Sequence, residues 1–296
     1  MAMVPVLGTV GSTIVAPGDT ISNPYPLFRT DSAGKNVALV ASGSRYKYIG
    51  ELDLTFTATG DLTTAAGQLH VVASKTAQPV VGVDPDAALQ ASVVDPVNTF
   101  EVTLATQLIA RTEVALDGVR NNVRTRETNL GSLVADAFKI QSAERAEALS
   151  LPLNNPLVAL TNGGGIRINA VIPAAGSAAD NISKKTTFDT LPFFNNLGIV
   201  RDIDSVRLLA LLENAVSRVE FTDGRFAQIS GLKFTYDPTL PVGDRIIDVL
   251  LEENGVLYVN DGIANPLAPR IDLATTDFLF NGGDSYAGNG GGANLT

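Results

Sequence analysis

Helix and strand patterns alternate along residues 109–286, and this alternation limits the fold more than any other feature of the sequence. Apolar residues recur at helical spacing over residues 130–138, and Thr128 precedes them as a suitable N-cap. A short apolar run, residues 157–161, leads into three glycines, which is typical of a buried strand that feeds a glycine loop. A second amphipathic helix is predicted over Ser205–Val219, and strand patterns follow in GLKFTYDP, RIIDVLL, GVLYVN and RIDLATTDFLF. The region therefore predicts one domain of the α/β class.

The preceding residues are patterned more weakly. Residues 1–60 combine loop chemistry with two strand patterns, Asn36–Ser42 and Glu51–Thr59, and the second alternates apolar and polar residues as a half-buried strand does. Residues 61–108 are rich in Ala and Val and are interpreted as a connector. No Lys or Arg precedes the first apolar stretch, and Pro and Gly interrupt it, so neither a signal peptide nor a transmembrane helix is indicated there.

The composition disfavours several classes of function. A chain of 296 residues that is 45% hydrophobic can bury a core without disulfides. Acidic residues outnumber basic ones 31 to 21 and no basic patch is evident, which disfavours binding to duplex nucleic acid or an anionic membrane. The absence of cysteine excludes a thiolate nucleophile and a Cys-rich zinc site. The single histidine, His70, is interpreted as a structural or surface residue, and a His-rich dinuclear metal centre is nearly excluded.

The motif Asn162–Arg167 (NGGGIR) is the strongest local candidate for a site. Consecutive glycines let a ligand approach the backbone without meeting a Cβ atom. Asn162 can donate and accept hydrogen bonds, and the Arg167 guanidinium suits a carboxylate or a phosphate. The glycine spacing fits neither a P-loop nor a dinucleotide fingerprint. A tight turn whose arginine forms a structural salt bridge explains the local pattern equally well.

A pair of arginines precedes the first predicted helix. Arg124 and Arg126 lie where cations oppose the helix dipole, and a bound anion would relieve that conflict. An exposed pair of arginines partnered by Glu127 is the simpler local interpretation.

Two aromatic segments also have alternative interpretations. Phe193 and Phe194 are adjacent, and successive side chains of an extended segment point to opposite sides, so one of them is free to line a cleft. Burial of both in different layers is the simpler interpretation. Phe278 and Asp284 flank a glycine turn after a predicted strand, where a β-turn with a core Phe and a capping Asp is locally favoured.

Taken together, these segments resemble the C-terminal domain of the 5′-nucleotidase family, which also includes 2′,3′-cyclic-nucleotide phosphodiesterases and sugar-nucleotide hydrolases. The matching segments, in the family's order, are RTEVALDG (Arg111–Gly118), RETNLGSLVADA (Arg126–Ala137), NGGGIR (Asn162–Arg167), LPFFNNL (Leu191–Leu197), GRFAQISGLKFTYDP (Gly224–Pro238) and DFLFNGGDSY (Asp277–Tyr286). As a set they are specific, although any one alone would be weak. The resemblance implies an α/β fold of the α+β type, with a mixed sheet and flanking helices.

The resemblance also implies a domain organisation. The segment Asn23–Leu62 is similar to the last strands of the family's N-terminal metallophosphoesterase domain, whereas that domain's metal-binding motifs, Asp-x-His, Gly-Asn-His-Glu and Gly-His-x-His, are absent from the sequence. Residues 1–62 are thus expected to be a remnant of that sandwich domain and 63–108 a connector. Residues 109–287 are expected to form the substrate-binding domain and 288–296 a flexible tail. No cofactor is expected on this chain, and two divalent metal ions are expected in the missing N-terminal domain.

Eight positions match the family's substrate site. They are Arg126, Asn162, Gly164, Arg167, Phe193, Asn195, Phe278 and Asp284. In the family the arginines and the first asparagine bind the phosphate and ribose side, two aromatics sandwich the base, and the remaining polar pair lies beside the base and the ribose hydroxyls. Phe194, Phe280 and Ser285 depart from the usual small residues. A bulky side chain next to each stacking Phe is expected to narrow the base slot or to swing the rings.

The implied function is nucleotide recognition within a metal-dependent phosphohydrolase that converts a nucleotide and water to a nucleoside and phosphate. A metal-bound water would attack phosphorus, whereas this chain would supply positioning and no catalytic residue, so that alone it is expected to be inactive. The expected partners are a nucleotide or nucleoside and the metallophosphoesterase domain, without duplex nucleic acid or a membrane span. Family members are usually periplasmic or extracellular, which sets the expected location. The alternative is a non-catalytic nucleotide-binding or structural domain that has lost catalysis.

Overall fold

The computed structural model describes residues 7–8, 23–42, 46–72, 82–176 and 181–286. The chain forms two compact units, Met1–Asn98 and Thr99–Thr296. The tail expected at 288–296 lies outside the described residues. No helix in the described part of the chain is long and apolar enough to cross a membrane.

The first unit is built from paired strands. They are β1 (Leu7–Gly8) with β2 (Asn23–Pro24) in parallel, and the antiparallel pairs β3 (Leu27–Thr30) with β4 (Asn36–Leu39) and β5 (Tyr48–Phe56) with β6 (Leu62–Val71). Tyr25, Tyr48 and Leu69 form a small buried cluster. Leu54 and Phe56, on the strand predicted to be half-buried, are 40% and 55% exposed.

The β5–β6 hairpin bears on two sequence-based expectations about this unit. The domain boundary expected after residue 62 falls at the first residue of β6, because residues 62–71 pair with β5 and continue its hairpin. His70 Nε2 lies 2.6 Å from Glu51 Oε2 across the hairpin, which confirms a surface structural role for the histidine. Helices α1 (Ala87–Leu89) and α2 (Asp95–Thr106) follow, joined by a π-helical turn, Gln90–Val94.

The second unit contains two four-stranded sheets among its described residues. Short pairs, β7 (Leu108–Ala110) with β11 (Ile182–Ser183) and β8 (Leu116–Asp117) with β10 (Val171–Ile172), flank them. The first sheet has the order β12 (Leu197–Ile203), β18 (Ile271–Thr276), β9 (Leu157–Asn162), β13 (Ala227–Ser230). The second is an antiparallel meander of β14 (Leu232–Tyr236), β15 (Ile246–Leu251), β16 (Leu257–Asn260) and β17 (Ile263–Ala264). In the first sheet β9 and β18 are parallel and both outer pairs are antiparallel, so the predicted mixed sheet is confirmed.

Among its described residues, the second unit has four α-helices that lie entirely within it. They are α3 (Asn129–Ala148), α4 (Lys184–Thr190), α5 (Ser205–Val216) and α6 (Asp277–Phe280). Thr128 caps α3 through its hydroxyl, which accepts from Gly131 N at 3.1 Å, as the sequence predicted. The predicted second helix ends at Val216 and not at Val219, because the chain tightens into a 3₁₀ turn at Val219–Phe221.

The first sheet carries different layers on its two faces. Val158 and Leu160 of β9 belong to the large apolar cluster that buries Leu208, Leu211 and other residues of α5. Side chains alternate along a strand, so Ala159 and Thr161 point to the opposite face, where α3 packs. This alternation determines which strand residues can reach the site.

The last predicted strand is shorter than expected. RIDLATTDFLF was predicted as one strand, but β18 ends at Thr276 and residues 277–280 form α6. The reason is packing: the helical turn buries Leu279 completely while it leaves Phe278 44% exposed. The strand interpretation of these last residues was therefore wrong.

Candidate substrate site

The site lies at the carboxyl ends of β9 and β18. These two parallel strands have Ala159 paired with Ala274, so both chains leave the sheet at the same edge. In open α/β sheets this edge is the usual place for ligands. Asn162, the last residue of β9, donates from Nδ2 to Asp284 Oδ2 at 2.6 Å. Asp284 therefore bonds across the site and does not merely cap its own turn, as the simpler interpretation held.

Glycine is needed in this turn mainly because neighbouring backbones pack closely against it. Gly164 N donates to Gly224 O at 2.7 Å, and a Cβ at Gly164 would lie 2.9 Å from Gly224 Cα. A Cβ at Gly163 would collide with the carbonyl oxygen of Val123. The glycines thus let three loops meet without intervening side chains.

Arg167 leaves this turn without a carboxylate partner. Its Nη1 donates to Gly164 O at 3.3 Å, and its Cζ lies 5.5 Å from the centroid of the Phe193 ring, at cation–π distance. Among the described residues no ion pair of Arg167 within 4.0 Å is present, so the structural salt bridge considered from sequence is not formed. The guanidinium retains donors for an anionic ligand.

Strand register brings the two aromatic segments to the same end of the sheet. Leu197 of β12 pairs with Thr276 of β18, so the segment of Phe193, which precedes β12, and the segment of Phe278, which follows β18, leave the sheet at the same edge. Asn196 Nδ2 donates to Asp277 Oδ2 at 3.0 Å and joins the two segments.

Both candidate stacking rings remain accessible. Phe193 is 52% exposed and Phe278 44%, so the interpretation that buried both Phe193 and Phe194 in the core is wrong. A Cβ at Gly283 would lie 2.5 Å from the Phe278 ring, so glycine is needed there to seat that side chain. Phe194 itself is 97% exposed.

Phe280 and Ser285 are the other departures from the family pattern. Phe280 packs against the core of the unit, and a Cβ at Gly198 would lie 2.7 Å from its ring. Phe280 therefore packs against Gly198 of β12. Ser285 has a positive φ of 65°, a conformation that explains why glycine is common at that position.

Arg124 joins the site, although only Arg126 was assigned to it from sequence. Arg124 is 6% exposed and its Nη1 donates to Thr222 O at 3.3 Å, while its Nε has no hydrogen-bond partner among the described residues. Burial, together with the neighbouring cations of Arg120 and Arg167, lowers the pKa of Arg124 to about 10, against the opposing carboxylates of Asp284 and Asp223. The sequence-based interpretation of an exposed arginine pair is wrong for this residue.

Arg126 differs from Arg124 in exposure and contacts. Its side chain is 65% exposed, and its guanidinium Nη2 lies 3.8 Å from Asp117 Oδ2, while no ion pair with Glu127 forms within 4.0 Å among the described residues. It borders a separate groove formed with Ser132, Phe234 and other residues. Contacts in the structure join Asn162 with Asp284 and Arg167 with Gly164, whereas the guanidinium of Arg126 lies near Asp117.

The pKa values of the two carboxylates in the site, Asp284 and Asp223, shift in opposite directions. Burial raises the pKa of Asp284, against the lowering effect of the hydrogen bond from Asn162. Burial would also raise the pKa of Asp223, but the hydrogen bonds and charge of Arg225 outweigh it and lower that pKa. The site therefore contains the half-buried carboxylate of Asp284 and two arginines, Arg124 and Arg167, which form no ion pair within 4.0 Å among the described residues.

A pocket of about 230 Å³ opens beside Phe193. Asn162, Gly165 and Asn195 contribute to its wall. Within the described part of the chain, no group of three or more His, Asp or Glu residues is arranged to hold a metal ion. These residues can therefore bind and orient a ligand through an amide, guanidinium groups and aromatic rings.

The fold is a mixed α/β domain with a glycine turn, arginines and exposed aromatics at one sheet edge, which makes that edge a candidate ligand site. Residues 108–288 match the family described as 5′-nucleotidase, C-terminal domain, and the chain belongs to that family. The matched range is close to the domain expected at 109–287.

Three known proteins with similar sequence are larger than this chain. The chain is 28% identical to the trifunctional nucleotide phosphoesterase protein YfkN of Bacillus subtilis over 95% of its length, which is 17% of that protein. It is 27% identical to human 5′-nucleotidase, in a match that covers 88% of this chain and 43% of the human protein. The crystal structure of a 5′-nucleotidase precursor from Thermus thermophilus is 30% identical, with a TM-score of 0.55 over 95% of this chain and 49% of that one. The chain thus spans half or less of these relatives.

Proposed function

We propose that this chain is the nucleotide-recognition part of a 5′-nucleotidase-like phosphohydrolase. The observation that carries the proposal is the joint placement of Arg124 and Arg167, neither with a carboxylate partner within 4.0 Å among the described residues, at the sheet edge that presents Phe193 and Phe278. A nucleotide needs both an anion site and flat apolar surfaces, and these residues provide the two kinds of contact.

Each group has a distinct role in the proposed complex. The phosphate is held by Arg124 and Arg167, whose charges are incompletely paired. The base stacks between Phe193 and Phe278, a contact worth about 1–3 kcal/mol per base. Asp284, anchored by Asn162, accepts from the ribose hydroxyls. Asn195 lies beside the base, and Arg126 stays outside the contact, in a revision of the sequence-based assignment.

In the proposed hydrolase, this chain positions the nucleotide for attack by water. The two divalent metal ions implied by the family would activate that water, and they would be held by a metallophosphoesterase domain with which this chain is proposed to act in the periplasm or outside the cell. This chain alone is expected to give no metal-dependent release of phosphate from AMP.

Titration calorimetry with adenosine and AMP tests the proposal. Phe193→Ala and Phe278→Ala are each expected to lower the binding affinity for both ligands by about 5- to 150-fold, because stacking does not depend on the phosphate. Arg124→Met is expected to lower the affinity for AMP by about tenfold or more, because the lost hydrogen bonds are to the charged phosphate. The affinity for adenosine, which has no phosphate, should not change.

A matched control is available in Phe100→Ala. Phe100 is 62% exposed on α2 and does not line the pocket, so its substitution should change neither affinity. Equal weakening by all three Phe variants, or no binding of either ligand to the unmodified chain, would contradict the proposal.

A further inference from the structure

The pocket beside Phe193 borders one of the two proposed stacking rings. It lies on the sheet face covered by α3, and Phe138 of α3 with Leu191 and Leu197 forms an apolar wall. Phe193 and Asn162 border the same pocket, so it is continuous with the proposed site. None of the described residues that line it is charged, so it suits a neutral group and not a phosphate.

Strand alternation directs Thr276 toward this pocket. Ile271 and Leu273 of β18 belong to the cluster with α5, and the hydroxyl of Thr275, on the same face, donates to Leu160 O at 2.8 Å. Thr276 therefore faces the α3 side, where it lines the pocket.

The hydroxyl of Thr276 lacks a partner. The residue is 3% exposed, and its Oγ1 has no hydrogen-bond partner among the described residues. Buried hydroxyls without a partner are uncommon because they lose their bonds to water without replacement. Because Thr276 lines the pocket, a ligand group bound there could supply the missing hydrogen-bond partner.

We infer that this pocket is a specificity subsite in which the Thr276 hydroxyl binds the exocyclic amino or oxo group of the nucleotide's base. The inference rests on the proposed function. A threonine hydroxyl both donates and accepts, so it can pair with either kind of group. The apolar wall around it holds the edge of the ring system and keeps water from competing for that bond.

Two nucleotides that differ only in the exocyclic group test the subsite. AMP carries a 6-amino group, and purine riboside 5′-monophosphate carries hydrogen at that position. The unmodified chain is expected to bind AMP about 3- to 10-fold more tightly, as one neutral hydrogen bond allows. Thr276→Val keeps the shape of the side chain and is expected to abolish this preference by weakening AMP alone.

Thr275→Val provides the matched control. It removes a hydroxyl from the neighbouring residue on the opposite face, so it should lower the melting temperature but preserve the preference for AMP. The melting temperature of Thr276→Val, measured in parallel, shows whether that variant is folded.

The outcomes separate the two proposals. If both nucleotides bind and Thr276→Val leaves their affinity ratio unchanged, the subsite is overturned and the proposed function stands. Equal affinities for the two nucleotides in the unmodified chain would also overturn the subsite. If neither nucleotide binds, the proposed function fails together with the subsite.

Discussion

Gln228 holds the loop that carries both arginines, and its substitution by Glu tests how that loop is positioned. The side chain is fully buried, and Nε2 donates to Val123 O at 3.0 Å and to Arg126 O at 2.7 Å. Its Oε1 accepts from Thr128 N at 3.1 Å. Gln228→Glu keeps the shape and the bond to Thr128 but turns the donor into an oxygen that faces two carbonyl oxygens.

The expected loss follows from those two bonds. Leaving a buried acceptor unsatisfied costs about 1–3 kcal/mol, so two acceptors cost about 2–6 kcal/mol before charge repulsion is added. A domain is stable by only about 5–15 kcal/mol, so the effect on the free energy of unfolding should be large.

The loss should also depend on pH. Burial and the two facing carbonyl oxygens disfavour the charged carboxylate more than the one donor, Thr128 N, favours it, so the new group's pKa in the folded state lies above the unfolded value of about 4.3. The folded variant then binds more protons than the unfolded one, and the loss should be greatest at neutral pH and decrease as the pH falls toward that unfolded value. The protonated carboxyl can donate to one of the two carbonyls.

Urea unfolding at pH 7 and pH 5 measures both effects. Gln141→Glu, a change of the same charge at an exposed position of α3, should alter the free energy of unfolding by only about 0.5 kcal/mol. A loss below about 1 kcal/mol for Gln228→Glu at pH 7, well under the cost of two unsatisfied acceptors, would refute the reasoning. So would an equal loss at both pH values.

Two further substitutions, Gly131→Ala and Asp284→Asn, should change stability in ways that helix propensity or charge alone does not predict. Gly131→Ala would stabilise an isolated helix by about 1 kcal/mol, but here the new Cβ would overlap the side-chain amide of Gln228, so thermal melting should show destabilisation. The pKa of Asp284 is raised by burial, so the folded state binds more protons at this group than the unfolded state does, and the group's contribution to stability falls as the pH rises from about 4 through the folded-state pKa. Asp284→Asn keeps an acceptor for Asn162 and should therefore gain stability relative to the unmodified chain as the pH rises over that range in urea titrations; a constant difference would contradict this.

Helices α3 and α5 could be predicted because their signals are local. An apolar stripe at helical spacing and a capping Thr128 specify the start of α3, and Asp204, whose side chain accepts from Arg207 N, caps α5 in the same way. The end of β18 could not be predicted, because it depends on a distant core that receives Leu279. The apolar run itself is equally compatible with strand and helix.

The kinds of residue in the site could be predicted more readily than their arrangement. NGGGIR indicated an anion site, yet the structure uses its first glycines for packing against the backbones of Val123 and Gly224. The exposure of Phe193 followed neither from its hydrophobicity nor from its neighbours. It depends on the register that pairs Leu197 with Thr276 and leaves the preceding loop outside the sheet.

The different burial of Arg124 and Arg126 shows most clearly what local sequence lacks. Both arginines precede the same helix, so the dipole argument applies to either one. A 3₁₀ turn, Asn122–Arg124, buries Val123 completely and allows the bare backbone of Gly163 to pack on its carbonyl oxygen, and this contact draws Arg124 inward beside the glycine turn. Because Gly163 lies far along the chain, no window around the arginines contains that information. An anion bound at the glycine turn is accordingly expected to meet Arg124 and not Arg126.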